Sequence, residues 1–185
     1  MVLELVFILL LTTVQQADFT GTWERNPKLS QDPFQKIERA LGSGQSSGAG
    51  GRQFDVYSRT GLLRDVDRVT LRRMLLDFAE VLDRVQVEHG NGELKVWVGN
   101  DDYFGLFYLD GEPHSRELQE GVLLEATASW NGDSISVVQK GEAGGLIREI
   151  YSLLDGGKQL AVVFQLEHKA SETPVMFRTV YDRVE

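Results

Sequence analysis

Glu149 stands between Ile147 and Tyr151 in a segment of strict two-residue alternation. That phase puts a carboxylate on the apolar face of an expected strand. A buried carboxylate must be paired or protonated, and two roles follow. With Tyr151, Tyr181 and Gln139, Glu149 would supply polar handles that orient a ligand inside the fold; alternatively it pairs with Arg183 or a tyrosine hydroxyl as an internal network. A third use, general acid and base chemistry by Glu149 and the tyrosines, lacks any nucleophile and base at a recognisable spacing.

The other candidates dissolve on inspection. His89, His114 and His168 fall on different expected turns or strand ends, with no second histidine or carboxylate at ligand spacing. A metal site needs convergent donors, so all three read as surface residues. Asp101 and Asp102 lack the alternating oxygen donors of a calcium loop and read as a turn. The stretch GQSSG, Gly44 to Gly48, matches Gly-x-Ser-x-Gly. That motif works as a strained elbow between strand and helix, whereas here it lies in a Gly/Ser tract. GEAGG, Gly141 to Gly145, has no following Lys-Ser or Lys-Thr and opens no helix, so it is a hairpin connection rather than a phosphate loop. No metal and no cofactor is expected.

The chain has 185 residues, of which 42% are hydrophobic and 25% charged, enough for one globular domain with a sizeable core. Its formal charge of -9 argues against nucleic acid or an anionic membrane as partner, since both require a surplus of Lys and Arg. Without cysteine there is no disulfide, thiolate metal site or catalytic thiol. Val2 to Val14 is an apolar run of about thirteen residues, where a spanning helix needs roughly 20. Residues 1–17 therefore read as a signal peptide cut after Ala17. The expected mature chain, 18–185, is a single exported domain, periplasmic or secreted, with no integral membrane segment.

Two helices are expected early. In SQDPFQKIERALG, Asp32 is the N-cap, Pro33 the first helical residue, Phe34, Ile37 and Leu41 the apolar face, and Gly42 the terminator. The tract 42–51, nearly all Gly and Ser, reads as a flexible loop. After it, Leu71, Met74, Leu75, Phe78 and Leu82 form one helical stripe. From Arg84 the period falls to two, with Asn-Gly and Asp-Gly turns between the runs. One face collects Ala126, Ala128 and Trp130; Ile135 and Val137; Tyr151; Leu160, Val162, Phe164 and Leu166; and Val175, Phe177 and Tyr181. The opposite face is polar apart from Val163 and Val180. Trp97, Trp130, Phe164 and Phe177 are taken as inner-face aromatics. Two helices cannot cover so long a one-sided sheet, so it must curl on itself. The expected fold is mainly β: an antiparallel up-and-down barrel of about eight to ten strands, with both helices between the first and second strands.

Gly21-Thr22-Trp23 at the start of the first strand resembles the Gly-x-Trp signature of the lipocalin and fatty-acid-binding (calycin) barrels. The resemblance implies that Trp23 is packed by an arginine from the last strand. Arg183, on the same face as Phe177, Thr179 and Tyr181, is the counterpart it points to. The chain from Asp18 onward also resembles a group of bacterial exported proteins with a lipocalin-like domain. FTGTWERNPKLSQDPFQKIERALG, WNGDSISVVQKGEAGGLIREIYSLLDGGKQLAVVFQLE and PVMFRTVYDRVE carry that likeness. The order of one strand, two helices and a meander is similar to fatty-acid-binding proteins, in which a helical pair lids the barrel; the long Gly/Ser tract departs from them.

Three functions stay open at this point. One is a barrel binding a small, largely hydrophobic ligand through Glu149, Tyr151, Tyr181 and Gln139, with Trp130, Phe164 and Phe177 as walls and Gly21, Trp23 and Arg183 closing the barrel. The second is a side-chain-filled barrel that meets a protein partner of the envelope. The third is an enzyme built on Glu149 and the tyrosines.

Overall fold

The computed structural model describes residues 17–42, 62–99, 103–117, 123–141 and 145–184. Most of the expected leader, the Gly/Ser tract beyond Gly42 with its Gly-x-Ser-x-Gly match, Asp101, Asp102 and the centre of GEAGG lie outside the described residues. Helix α1 spans Pro33–Leu41 and helix α2 spans Arg68–Glu80. Each starts on an aspartate. Asp32 Oδ1 accepts from the backbone N–H groups of Phe34 (2.9 Å) and Gln35 (3.4 Å), and Asp67 Oδ1 accepts from Thr70 N–H at 2.9 Å. These carboxylates satisfy amides that have no partner within the helix. At the other end of α1, Arg68 Nε donates to Leu41 O at 2.9 Å, tying the two helices together.

The ten strands are β1 Gly21–Arg25, β2 Arg84–Gly90, β3 Glu93–Val98, β4 Tyr103–Tyr108, β5 Pro113–Glu117, β6 Leu123–Asn131, β7 Ser134–Gly141, β8 Leu146–Leu154, β9 Gln159–Glu167 and β10 Val175–Arg183. Both helices lie between β1 and β2. The sheet runs β4-β3-β2-β1-β10-β9-β8-β7-β6-β5, with every pairing antiparallel, so the chain's first and last strands meet and the sheet curls into a nearly closed barrel. Among the described residues only β4 and β5 remain as edges. Short turns set this meander: Asn91 (φ 53°) and Gly92 (φ 77°) take the positive angles that a two-residue hairpin matched to the sheet's twist requires.

Alternation sorts the sheet as the sequence predicts in most places. Leu94, Val96, Ile135, Val137, Ile147, Leu160, Phe164, Leu166, Val175 and Phe177 are all buried, as are Leu71, Leu75 and Phe78 of α2. Three expectations need correction. Trp97 is on the outer face: its neighbours Leu94, Val96 and Val98 are the buried residues of β3, and Trp97 is half-buried between them in phase. Phe34 is 37% exposed, because α1 rests on the barrel through Pro33, Ile37 and Leu41. Val180, on the outer face, is buried. β1 stops at Arg25, and beyond it the connection to α1 takes over as the partner of β10. Asn26 N–H donates to Val180 O (2.8 Å) and Gln31 N–H to Arg178 O (2.8 Å), while the Ser30 hydroxyl accepts from Val180 N–H (2.9 Å). Polar side chains thus cover a stretch of strand edge that would otherwise be open.

Candidate functional site

The cross-strand register places the expected polar residues on one wall. Reading across neighbouring strands, inward residues form the rows Ala126-Gln139-Ile147-Leu166-Val175, Val137-Glu149-Phe164-Phe177, Ile135-Tyr151-Val162-Thr179 and Leu153-Leu160-Tyr181-Arg25. Gln139, Glu149, Tyr151, Thr179 and Tyr181 are each 3% exposed or less, set among aliphatic and aromatic neighbours. Gln139 Nε2 donates to Glu149 Oε2 at 3.5 Å, a long bond between a carboxylate and an amide on adjacent strands. Burial pushes the Tyr181 hydroxyl well above the ordinary phenol range, opposed by its hydrogen bond with Thr179 and by the nearby Arg25 charge, while Glu149 adds to the rise. Tyr181 is therefore a neutral hydroxyl at any working pH, able to donate or accept.

Arg183 is not the partner of Glu149. Its guanidinium lies 4.3 Å over the Trp23 ring and donates to the carbonyls of Gly157 (3.0 Å), Thr20 (2.8 Å) and Asp18 (3.0 Å). Trp23 is fully buried, its Nε1–H donating to Phe19 O at 3.2 Å. Gly21 opens the same strand opposite Val87. Trp130 belongs with this end of the barrel too, 5.9 Å from Phe19 and 5.3 Å from His89 between ring centroids. Phe164 and Phe177 sit towards the helices instead: they stack at 5.0 Å, and Phe78 of α2 reaches Phe164 at 5.2 Å. The seven candidate ligand residues are thus divided: Trp130 lies with the aromatic plug, Phe164 and Phe177 form a stack against Phe78, and the polar side chains are spread along the wall, Gln139 one row beyond that stack, Glu149 in its row, and Tyr151 and Tyr181 in the next two rows towards the plug.

Several residues of the site are not apparent from local sequence. Arg25 alternates onto the inner face with Trp23 and pairs in register with Tyr181; its terminal nitrogens reach Asp83 Oδ1 (3.5 Å) and Gln31 O (3.4 Å). Its signal was the phase of β1, two residues after Trp23. Leu62 and Leu63, buried to 1% or less, cross the helix-covered end against β7 and β8. A Cβ on Gly141 would collide with the Leu63 carbonyl, and one on Gly145 would sit 2.8 Å from Leu62 O; glycine permits that approach. His168 fastens the same segment. It is buried, not a surface residue: its Nδ1 accepts from Ala170 N–H at 3.0 Å, so its Nε2–H donates to Arg64 O at 2.7 Å. His114 also departs from expectation, since the Asp110 carboxylate contacts its Nε2 at 2.9 Å.

No protein-family profile matches the chain, and no curated protein matches it. Among solved structures, apo lipid binding protein 8 of Caenorhabditis elegans has a TM-score of 0.52 at 10% identity, covering 90% of this chain and 95% of that one. A secretory abundant heat soluble protein of Ramazzottius varieornatus has a TM-score of 0.51 at 10% identity, covering 92% and 98%. Fatty-acid-binding protein 1 of Echinococcus granulosus has a TM-score of 0.49 at 13% identity, covering 90% and 98%. The fold, a nearly closed antiparallel barrel with two helices between its first two strands, is similar to that of the first two of these proteins. At these identities the likeness is one of fold.

Proposed function

We propose that this barrel binds a small, largely hydrophobic ligand in its interior, oriented by Gln139, Glu149, Tyr151 and Tyr181. The observation that carries the reading is the wall of buried polar side chains amid apolar neighbours. A barrel that only had to be filled would be more stable with aliphatic residues there, because a buried carboxylate costs several kcal/mol in desolvation, roughly, before any partner offsets it. Lining of this kind, mostly apolar with a few placed polar groups, is what small-molecule sites share. The fold likeness to a protein named for lipid binding supports a hydrophobic ligand. The role proposed is binding, not catalysis. Export of the mature chain belongs to the same proposal, supported by the apolar run before Ala17.

A second reading, a filled barrel serving as an interaction domain of the envelope, draws on the Phe78-Phe164-Phe177 stack, which occupies the helix-covered end with the protein's own side chains. Native mass spectrometry of the purified mature chain separates the two. A released small molecule, together with a changed affinity for that molecule in a folded Glu149→Gln variant, is the expected result. An empty protein that also fails to brighten an uncharged hydrophobic dye would favour the filled barrel.

A further inference from the structure

Among the described residues β4 pairs only with β3 and β5 only with β6, so no strand ladder joins the barrel's two edges. The turn that connects them is fastened on both sides to neighbours of the edges, Leu109 N–H donating to Gly92 O at 2.7 Å and Gly111 N–H to Ala128 O at 3.0 Å. Between the edges lies a cavity of about 240 Å³ lined by Phe107, Tyr108, His114, Ala126 and Ala128, among others. The two alanines create it: flanked on the inner face of β6 by the larger Leu124 and Trp130, they leave the room that a longer side chain would fill.

His114 pairs in register with Ala126, so it shares that inner face, and its ring lies 4.6 Å from Tyr108 at 42°. Asp110 fixes its tautomer. The Asp110 carboxyl is held below the usual carboxylate range, chiefly by the backbone N–H of Glu112 and next by the His114 hydrogen bond. An ionised carboxylate only accepts, and both its oxygens approach His114 Nε2, at 3.1 and 2.9 Å. In the neutral ring Nε2 therefore carries the hydrogen, which leaves Nδ1 as an acceptor. No group among the described residues bonds Nδ1.

We infer that the β4–β5 slot is a binding site for a small uncharged aromatic molecule bearing an O–H or N–H donor, of the phenol or indole kind. Its ring would pack on Ala126, Ala128 and Phe107 with Tyr108 at the rim, and its donor would meet His114 Nδ1. An anion is disfavoured by Asp110 at the mouth and by the chain's charge of -9. The site lies in the wall and does not depend on the interior holding a ligand.

The test is titration of 2-naphthol into the full chain, followed by its fluorescence and by the histidine ring signals in NMR spectra. The expected result is saturable binding that shifts the His114 ring. His114→Phe, which keeps an aromatic ring and removes the acceptor, should weaken binding about tenfold, the loss expected for one hydrogen bond. Ala128→Leu, filling the slot, should abolish it; Ala126→Met does the same job should Ala128→Leu fail to fold. No saturable binding to the unmodified chain overturns the assignment. So does unaltered affinity in folded His114→Phe and slot-filling variants, since the probe then sits elsewhere.

Discussion

Trp23→Ala should be the most damaging single truncation at the aromatic end of the barrel. The indole is fully buried, its Nε1–H satisfies the Phe19 carbonyl, and one face is covered by Arg183 at 4.3 Å. Removing a buried tryptophan costs about 3 to 5 kcal/mol. For a domain of this size each kcal/mol moves Tm by about 2 to 4 °C, so the fall should be roughly 6 to 20 °C. Trp23→Phe isolates the hydrogen bond and part of the packing, and should cost about 1 to 3 kcal/mol. Arg183 contributes through the stacked guanidinium as well as its three carbonyl bonds. A double-mutant cycle of Trp23→Ala with Arg183→Ala should therefore give a coupling of about 0.5 to 1 kcal/mol. Thermal and urea melts followed by circular dichroism measure all of these. A Trp23→Ala protein melting within about 2 °C of the unmodified chain would refute the plug, since that is about 1 kcal/mol at most. A coupling of zero would leave Arg183 acting on the carbonyls alone.

Gly141→Ala should displace the Leu62-Leu63 segment, because the new Cβ meets backbone rather than a movable side chain. Limited proteolysis or hydrogen exchange should show residues 62–64 losing protection while the strands keep theirs; unchanged protection would rule out the close approach as a constraint. Burial lowers the His89 imidazole below its ordinary value, with Asp18 opposing. Because the unfolded ring takes up a proton near pH 6.5, roughly, before the folded one does, the His89 contribution to stability is complete above that pH. It is lost as the pH falls towards the folded value. His89→Phe, which keeps a ring against Phe19 and Trp130, should lose less Tm than the unmodified chain between about pH 7.5 and 5.5; equal losses would exclude His89 as the source.

Much of the architecture is legible without coordinates because it is local. Two-residue alternation fixes which side chains share a face, and Asn-Gly and Asp-Gly fix where hairpins turn. Asp32 before Pro33 fixes where α1 begins. A long one-sided sheet with too few helices to cover it must close on itself, which is why a barrel of about eight to ten strands follows from the pattern; the described residues form ten. The inward placement of Gln139, Glu149, Tyr151 and Tyr181 follows from the same periodicity.

Only the tertiary structure decides what those residues meet. Arg183 and Glu149 share an inward phase in the sequence, yet the strand register sends one to the Trp23 plug and the other to Gln139. Local reading made Trp97 an inner aromatic; the register of β3 puts it outside, because a one-residue difference in phase exchanges faces. Glycines 141 and 145 look like hairpin residues until Leu62 and Leu63 are seen lying on them. Asp110 and His114 look like a turn and a strand until the open seam beside them gives their pairing a cavity. Periodicity specifies faces and turns, since both depend on neighbours along the chain, whereas register, close approach and the seam between β4 and β5 depend on residues far apart in sequence.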